Sequence, residues 1–398
     1  MRILQICHKP PLPLIDGGCI AIHNLSKGLM EEFNSIKILT ISTLKHPFDE
    51  KHYSEDYLNK TKIESVFVDT KLNIVDAFSN LVTYDSYNVS RFFSPDFNDL
   101  LIKTLKSDTY DIILLESLFT TPYIQTIRSY STSKIILRSH NLEHIIWKRL
   151  AKETSNPAKK IYLNLLSNQL KTYEINTLKD VNGIVSISKE DEKKYKSIDC
   201  PAPITSIPFG IDIQNYIPKK KKIEKKLRFF HLGAMDWKPN LEAVGWLLKE
   251  IWPKILEKQP NAELHLAGKN MPEWLINITD KSVINHGKVE SAIDFMNEKD
   301  IMLVPLLSAG GIRVKIIEGM ALGKAIISTS IGAEGLNYKD GENIVIANSP
   351  KSFAEKAYQL NENLSEIQRI GENARVHVSE YYDQTKITKK LVKFCESI

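Results

Sequence analysis

Short apolar runs alternate with amphipathic stretches along the whole chain, and that alternation limits the fold more than any other feature. In the first half the runs are residues 3–7, 36–41, 65–68, 112–115, 135–138 and 183–186. In the second they are residues 229–232, 263–267, 283–285, 301–305, 325–329 and 343–346. Apolar runs this short, separated by helical spacing, predict an α/β protein with parallel strands and helices on both faces. The spacing of Ile161, Leu165, Leu166, Leu170, Tyr173 and Leu178 predicts one long helix within 152–180. Further helices are expected near 240–258, 312–322, 350–362, 365–378 and 384–396. Residues 69–100, rich in Asn, Ser and aromatics, fit neither pattern.

A chain of 398 residues exceeds what one core usually serves, so two domains are expected. Pro201-Ala-Pro203 and Ile207-Pro208-Phe-Gly-Ile-Asp212 mark the break, and a run of lysines at 219–222, 225 and 226 extends it. Open α/β sheets bind ligands at the carboxyl ends of their strands, so two such halves are expected to share a cleft there.

Composition excludes several classes. At 42% hydrophobic and 25% charged, the chain is ordinary for a globular protein. Nothing in it approaches the roughly 18 uninterrupted apolar residues of a membrane span. Met1-Arg-Ile-Leu-Gln-Ile-Cys7 reads as a buried strand rather than a signal peptide. Cys7, Cys19, Cys200 and Cys395 have no metal-ligand spacing, so reduced thiols in the cytoplasm are expected. The net charge of +5 is concentrated in the lysine run. That run is either a solvated linker or a peripheral contact with an anionic membrane. Without interleaved aromatics it does not suggest nucleic acid.

The chemistry concentrates in Pro305-Leu-Leu-Ser-Ala-Gly-Gly-Ile-Arg-Val-Lys-Ile-Ile-Glu318. A strand runs into a turn at Gly310 and Gly311, and a helix begins beside Arg313 and Lys315. Close-approaching glycine backbone, unpaired first-turn N–H groups and the positive helix end make an anion site. Arg313 can grip a phosphate through two N–H groups. Glu318, one turn on, cannot hold phosphate but suits vicinal hydroxyls such as those of a ribose. Phosphate with ribose indicates a nucleotide. Lys315 and Glu318 could alternatively form an ordinary surface pair three residues apart.

Three other loops follow strands. Gly17 and Gly18 stand at a strand-to-helix turn able to face an anion, without G-x-G-x-x-G spacing. Arg138-Ser-His140-Asn141-Leu-Glu143-His144 crowds polar groups at a strand end, where His140 and Asn141 serve as site groups, as helix caps, or both. Gly233-Ala-Met-Asp236-Trp237-Lys238-Pro239-Asn240 is the corresponding loop of the second half, where Lys238 could reach a phosphate.

Taken together, these segments resemble glycosyltransferase group 1. The resemblance rests on Gly17-Gly18 with His23, the strand-end His140, Ile207-Pro-Phe-Gly-Ile-Asp212, Leu232-Gly233 with Lys238, Leu266-Ala-Gly268 and Glu318-Gly-Met-Ala-Leu-Gly-Lys324. It is nearest to the branch reading Gly-Ala-Met-Asp-Trp-x-Pro-Asn and Gly-Gly-Ile-Arg-x-Lys-x-x-Glu, frequent among bacterial cell-surface polysaccharide enzymes.

The resemblance implies a GT-B fold of two Rossmann-like domains. These would be 1–205, with a helix at about 384–398 packing back on it, and 206–383. It implies a retaining, metal-independent transfer of a sugar from a nucleotide-diphosphate sugar to a hydroxyl of a glycan or lipid-linked acceptor. No Asp-x-Asp pair occurs, in keeping with a reaction that needs no metal and no cofactor. Glu318 would hold the donor ribose. Gly17, Gly18, Lys238, Gly310, Gly311, Arg313 and Lys315 would surround the pyrophosphate, and His140 would sit beside the reacting sugar. Two positions depart from the family. Gly310 stands where many members carry a sugar-contacting Glu, and Gly233-Ala234 stands where Gly-Arg is usual. The expected setting is cytoplasmic, at the inner membrane face. Rival readings are a sugar-nucleotide epimerase of the same fold, which lacks placeable acid–base carboxylates, and a catalytically silent nucleotide-sugar-binding protein.

Overall fold

The computed structural model describes residues 1–70, 87–198, 200–219, 226–308 and 311–398. They form two units, Met1–Gly210 with Gln384–Ile398, and Ile211–Asp383.

The first unit is built on a seven-stranded sheet of β1 (Ile3–Cys7), β2 (Lys37–Ser42), β3 (Glu64–Phe67), β4 (Ile112–Glu116), β5 (Lys134–Ser139), β6 (Gly183–Ser186) and β7 (Ile204–Ser206). Its order is β3-β2-β1-β4-β5-β6-β7 and every pair is parallel. From β1 the chain winds outward to β2 and β3, then returns to β4 and winds the other way. The β1–β4 boundary is therefore a topological switch point, where open α/β sheets bind ligands.

Alternation along the strands separates two cores. Leu4, Ile6, Ile113, Leu115 and Leu137 face one side with Phe97 and Tyr123. Ile3, Ile112, Leu114 and Ile136 face the other, beneath Ile22 and Leu25 of the helix Gly17–Phe33 and Ile387 and Leu391 of the helix Gln384–Ser397. These two helices touch closely. A Cβ at Gly28 would lie 2.1 Å from Thr388 Oγ1.

The second unit carries a six-stranded parallel sheet of β8 (Arg228–Leu232), β9 (Glu263–Ala267), β10 (Val283–Asn285), β11 (Ile301–Val304), β12 (Ala325–Ser328) and β13 (Val345–Ile346). Its order, β10-β9-β8-β11-β12-β13, repeats the logic, with the switch between β8 and β11.

Several elements differ from expectation. The long helix expected within 152–180 forms as Pro157–Thr177, and a separate helix, Glu143–Glu153, precedes it. Asn156 caps the long helix by accepting from Lys159 N, and Pro157 occupies its first turn, where a missing N–H costs nothing. The expected 240–258 helix runs as Lys238–Trp246, a π turn at Leu247–Ile251, and Trp252–Lys258. Pro253 lacks the N–H that the regular ladder requires there, and the wider turn absorbs the gap. Strand β7, half-buried and flanked by Pro201 and Pro203, carries too weak a pattern to be foreseen. Within 69–100, helices form at Tyr87–Ser90 and from Pro95 onward, while 71–86 lie outside the described residues. Among the described residues no helix is long and apolar enough to cross a membrane.

One loop contact is tight enough to test. A Cβ at Gly268, just beyond β9, would lie 1.8 Å from the carbonyl oxygen of Gly233. Gly268→Ala is expected to destabilise by about 1–3 kcal/mol through overpacking. At Gly245 a Cβ meets nothing within 4 Å, and the residue is helical. Gly245→Ala is expected to stabilise by about 0.5–1 kcal/mol. Urea-unfolding midpoints of both variants check the pair.

Candidate active site

In the first unit the switch point is occupied by a buried polar network. The register aligns Cys7, Glu116 and Arg138 on adjacent strands, which puts the latter two side chains on one face at the carboxyl end. Glu116 Oε1 accepts from Gln5 Nε2 at 2.9 Å, and Oε2 accepts from Arg138 Nη1 at 3.0 Å. His140 Nε2 lies 2.8 Å from the same Oε2. Gln5 is held in turn by Ser26 Oγ, which donates to its Oε1 at 2.7 Å. Glu116 and Arg138 are fully buried, and His140 is nearly so.

Burial alone would push the Glu116 carboxyl up. The Arg138 charge and the bonds from His140 and Gln5 outweigh it and hold the group at about 2. For His140, burial pulls the imidazole below its ordinary value, partly opposed by Glu116. His8 Nδ1, at 2.8 Å, donates to the main-chain oxygen of Glu116, and its ring lies edge-on to His140 with centroids 5.7 Å apart. Phe209 closes another side, edge-on to His140 at 5.5 Å and beneath the Arg138 guanidinium at 5.1 Å.

Gly17 and Gly18 are the first residues of the helix Gly17–Phe33, capped by Asp16, which accepts from Cys19 N at 3.0 Å. The absent side chain at Gly18 leaves room for Lys9, whose Nζ would lie 2.5 Å from a Cβ there. Lys9 Nζ reaches the Asp16 carboxylate at 2.8 Å, and His46 Nε2 at 2.9 Å. Burial raises the Asp16 carboxyl, but the His46 bond and the Lys9 charge hold it well below the usual range. Asp16, Cys19 and His46 bring donor atoms within 4.8 Å of one another, a spacing open to a metal ion. Lys9 already neutralises that carboxylate, and burial pushes the Cys19 thiol up to about 11, so the trio suits a cation poorly.

Beyond His140, Glu143 opens the helix Glu143–Glu153, where its N–H donates to Glu174 Oε1 at 3.0 Å. Burial and the neighbouring Glu174 raise the Glu143 carboxyl to about 8.

In the second unit the strand-end loops are clamped from below. Lys315 Nζ donates to Leu232 O at 3.0 Å and to Asn240 Oδ1 at 2.8 Å, while Asn240 Nδ2 donates to Ala234 O at 2.9 Å. The sequence placed Lys315 around a phosphate; its ammonium instead fastens the β8 loop to the helix Lys238–Trp246. Burial, with Arg313 nearby, lowers it to about 7. It makes no pair with Glu318.

Arg313 stands one residue earlier than expected, at the cap of the helix Val314–Ala321, and Nη2 donates to Ile331 O at 2.8 Å. Gly311 has φ +73°, a left-handed conformation that favours glycine. Gly310 lies outside the described residues. Lys238, the first residue of its helix, is exposed and makes no hydrogen bond or ion pair among the described residues. Glu318 is half-buried, and Oε1 accepts from Tyr216 Oη at 2.8 Å. Burial raises its carboxyl, and the Tyr216 bond opposes the rise. Tyr216 is fixed through its own carbonyl, which accepts from Arg375 Nη1 at 2.6 Å. Lys219 and Lys226, the ends of the lysine run, pair with Asp294 and Glu263; residues 220–225 lie outside the described residues.

Sequence reasoning missed Glu116, Gln5, Lys9, Tyr216 and Asn240. Glu116 carried the one available signal, a carboxylate ending an otherwise apolar strand. Gln5 and Tyr216 depend on partners more than 100 residues away, and Lys9 and Asn240 on loop geometry that no spacing announces.

The folded carboxyl of Glu116 lies below its ordinary value of 4.5. Its contribution to stability is therefore present above that pH and lost as pH falls toward about 2. Between pH 5 and pH 3 the wild type is expected to lose about 2 kcal/mol more stability than Glu116→Gln. Urea midpoints at both pH values measure the difference.

Residues 226–363 match the family Glycosyl transferases group 1. Over 98% of this chain and 99% of the relative, the sequence is 26% identical to an uncharacterized 44.6 kDa protein in the cps region of Klebsiella pneumoniae. Among solved structures, sucrose-phosphate synthase from Thermosynechococcus elongatus superposes with a TM-score of 0.72 at 13% identity, covering 100% of this chain and 98% of that one. HepE from Anabaena, in complex with UDP and glucose, superposes with a TM-score of 0.67 at 12% identity, covering 99% of each.

Proposed function

We propose that this chain, a group 1 glycosyltransferase with the GT-B fold, moves a sugar from a nucleotide-diphosphate sugar to a hydroxyl of a glycan or lipid-linked acceptor, with retention and without a metal, in cell-surface polysaccharide synthesis. The observation that carries the nucleotide is Glu318. A half-buried carboxylate one turn into a helix, braced by Tyr216 and preceded by the left-handed Gly311, follows the strand at the β8–β11 switch point. Nothing cationic pairs with it among the described residues, so its oxygens are available to the two hydroxyls of a ribose.

In this reading the diphosphate faces the start of the helix Val314–Ala321, with Gly311, Arg313 and Lys238; Gly17, Gly18 and Gly310 are carried as donor-binding residues by the resemblance alone. Breaking the glycosyl–phosphate bond moves negative charge onto the diphosphate. Fixed N–H dipoles and cations aimed at that charge lower the barrier without reorganising. Lys238, at a helix start, makes no side-chain hydrogen bond or ion pair among the described residues. Lys315 acts through the loops it fastens. The acceptor hydroxyl attacks the face the leaving phosphate departs from, passing its proton to that phosphate, and His140 stands beside the reacting sugar. The same reading sets the reaction at the cytoplasmic membrane face. The paired state of Lys219 and Lys226 leaves any lipid contact to the middle of the lysine run. HepE, solved with UDP and glucose, supports a nucleotide-sugar donor by likeness of fold.

A thermal-shift panel of UDP, GDP, ADP and CDP without metal tests the site. One nucleotide is expected to raise the melting temperature of the wild type, in proportion to ln(1 + [L]/Kd), and to fail with Glu318→Ala. Absence of a shift with all of them would favour a catalytically silent protein. A second outcome concerns pH. Protonating Glu318 removes an acceptor for ribose, so affinity falls on the acid side. Burial already raises this carboxyl, and losing the Tyr216 hydroxyl raises it further. With Tyr216→Phe, nucleotide affinity followed by titration calorimetry is expected to fall away at a higher pH than in the wild type.

A further inference from the structure

We infer that Glu116 is a positioning residue for His140: it holds the imidazole as the Nε2–H tautomer and leaves Nδ1 bare, to accept a hydrogen bond from a sugar hydroxyl. The sugar rests on the transferase reading above; the tautomer does not.

An ionised carboxylate can only accept, so the hydrogen between His140 Nε2 and Glu116 Oε2, 2.8 Å apart, belongs to the imidazole. The carboxylate is kept ionised by Arg138, a guanidinium that does not give up its proton and sits 3.0 Å from the same oxygen. Its other oxygen is taken by Gln5, whose amide is oriented by Ser26. Neither oxygen is free to turn away.

The remaining question is Nδ1. It has no partner among the described residues, and the side chain retains 10% of its surface. The charged and titratable groups around His140 are Glu116 from β4, Arg138 from β5, and His8 and Lys9 from the loop after β1. One anion therefore faces two cations and a neutral imidazole, so a second proton on His140 would add positive charge beside Arg138 in a buried setting. Nδ1 is a lone pair. It can accept from an O–H group but cannot donate to a ring or glycosidic oxygen, so this position reads a hydroxyl. A second-sphere carboxylate setting which nitrogen of a histidine faces the substrate is a general device.

The experiment uses the full chain with 15N-labelled histidine and long-range 1H–15N correlation spectra between pH 6 and 8. His140→Gln identifies the His140 signals by their loss. The expected result is the Nε2–H pattern, with a bare Nδ1, through the whole range. A Nδ1–H pattern, or a doubly protonated ring at pH 7, would overturn the inference. In Glu116→Gln the amide offers either an oxygen or an N–H to Nε2, and signals of the other tautomer are expected to appear. An unchanged tautomer in that variant would also overturn it. If Glu116→Gln does not fold, the wild-type spectrum still decides. UDP in the thermal-shift assay separates the two readings. Lack of a UDP shift bears on the nucleotide assignment, whereas the tautomer is read with no ligand present.

Discussion

A carboxylate buried among apolar strands is tolerated only if its charge is met within hydrogen-bond distance, and the first unit is organised around that constraint. Removing Glu116 from water costs several kcal/mol, which a single partner would not offset. Three donors do so together: Gln5 from within β1, Arg138 from the end of β5, and His140 just beyond it. Each partner is itself constrained. Gln5 is tied to the helix Gly17–Phe33 through Ser26, and Arg138 lies over Phe209. The network thus couples sheet, covering helix and strand-end loop. A network that meets both carboxylate oxygens favours one arrangement, because most others leave the buried charge unmet.

The second unit solves the same geometric problem with the opposite charge. Lys315 is a half-buried amine spent on a carbonyl and an amide oxygen. It sacrifices reach for rigidity. The loops after β8 and β9 approach so closely that glycine is needed at 268, and the lysine holds that approach from the helix side. Each unit thus uses one polar group to fix a strand-end segment: Glu116 holds His140, and Lys315 holds the loop after β8.

Most of the architecture was legible in the sequence because parallel strands buried on both faces are written as short apolar runs. All but β7 were anticipated within a residue or two at each end. The π turn escaped notice because periodicity continues across it, and only Pro253 marks the change. For the candidate site, sequence could name only residues with local signatures: glycines at turns, cations near a helix start, a histidine at a strand end. Those defined by long-range partners were not. Nothing near Tyr216 announces Glu318, 102 residues away, and nothing around Lys315 distinguishes a phosphate ligand from a loop clamp. Motif reading identifies side chains able to do chemistry; burial and partners decide what they are free to do.

The division of the chain bears on how it is made. The first unit is discontinuous, and its last piece, the helix Gln384–Ser397, contributes Ile387, Leu391 and Val392 to the core beneath Ile22 and Leu25. On a ribosome those residues emerge only after all of 211–383 has been synthesised. The second unit can therefore complete its own core first. Meanwhile the earlier-made sheet waits with part of that apolar face uncovered, so the order of maturation runs against the order of synthesis.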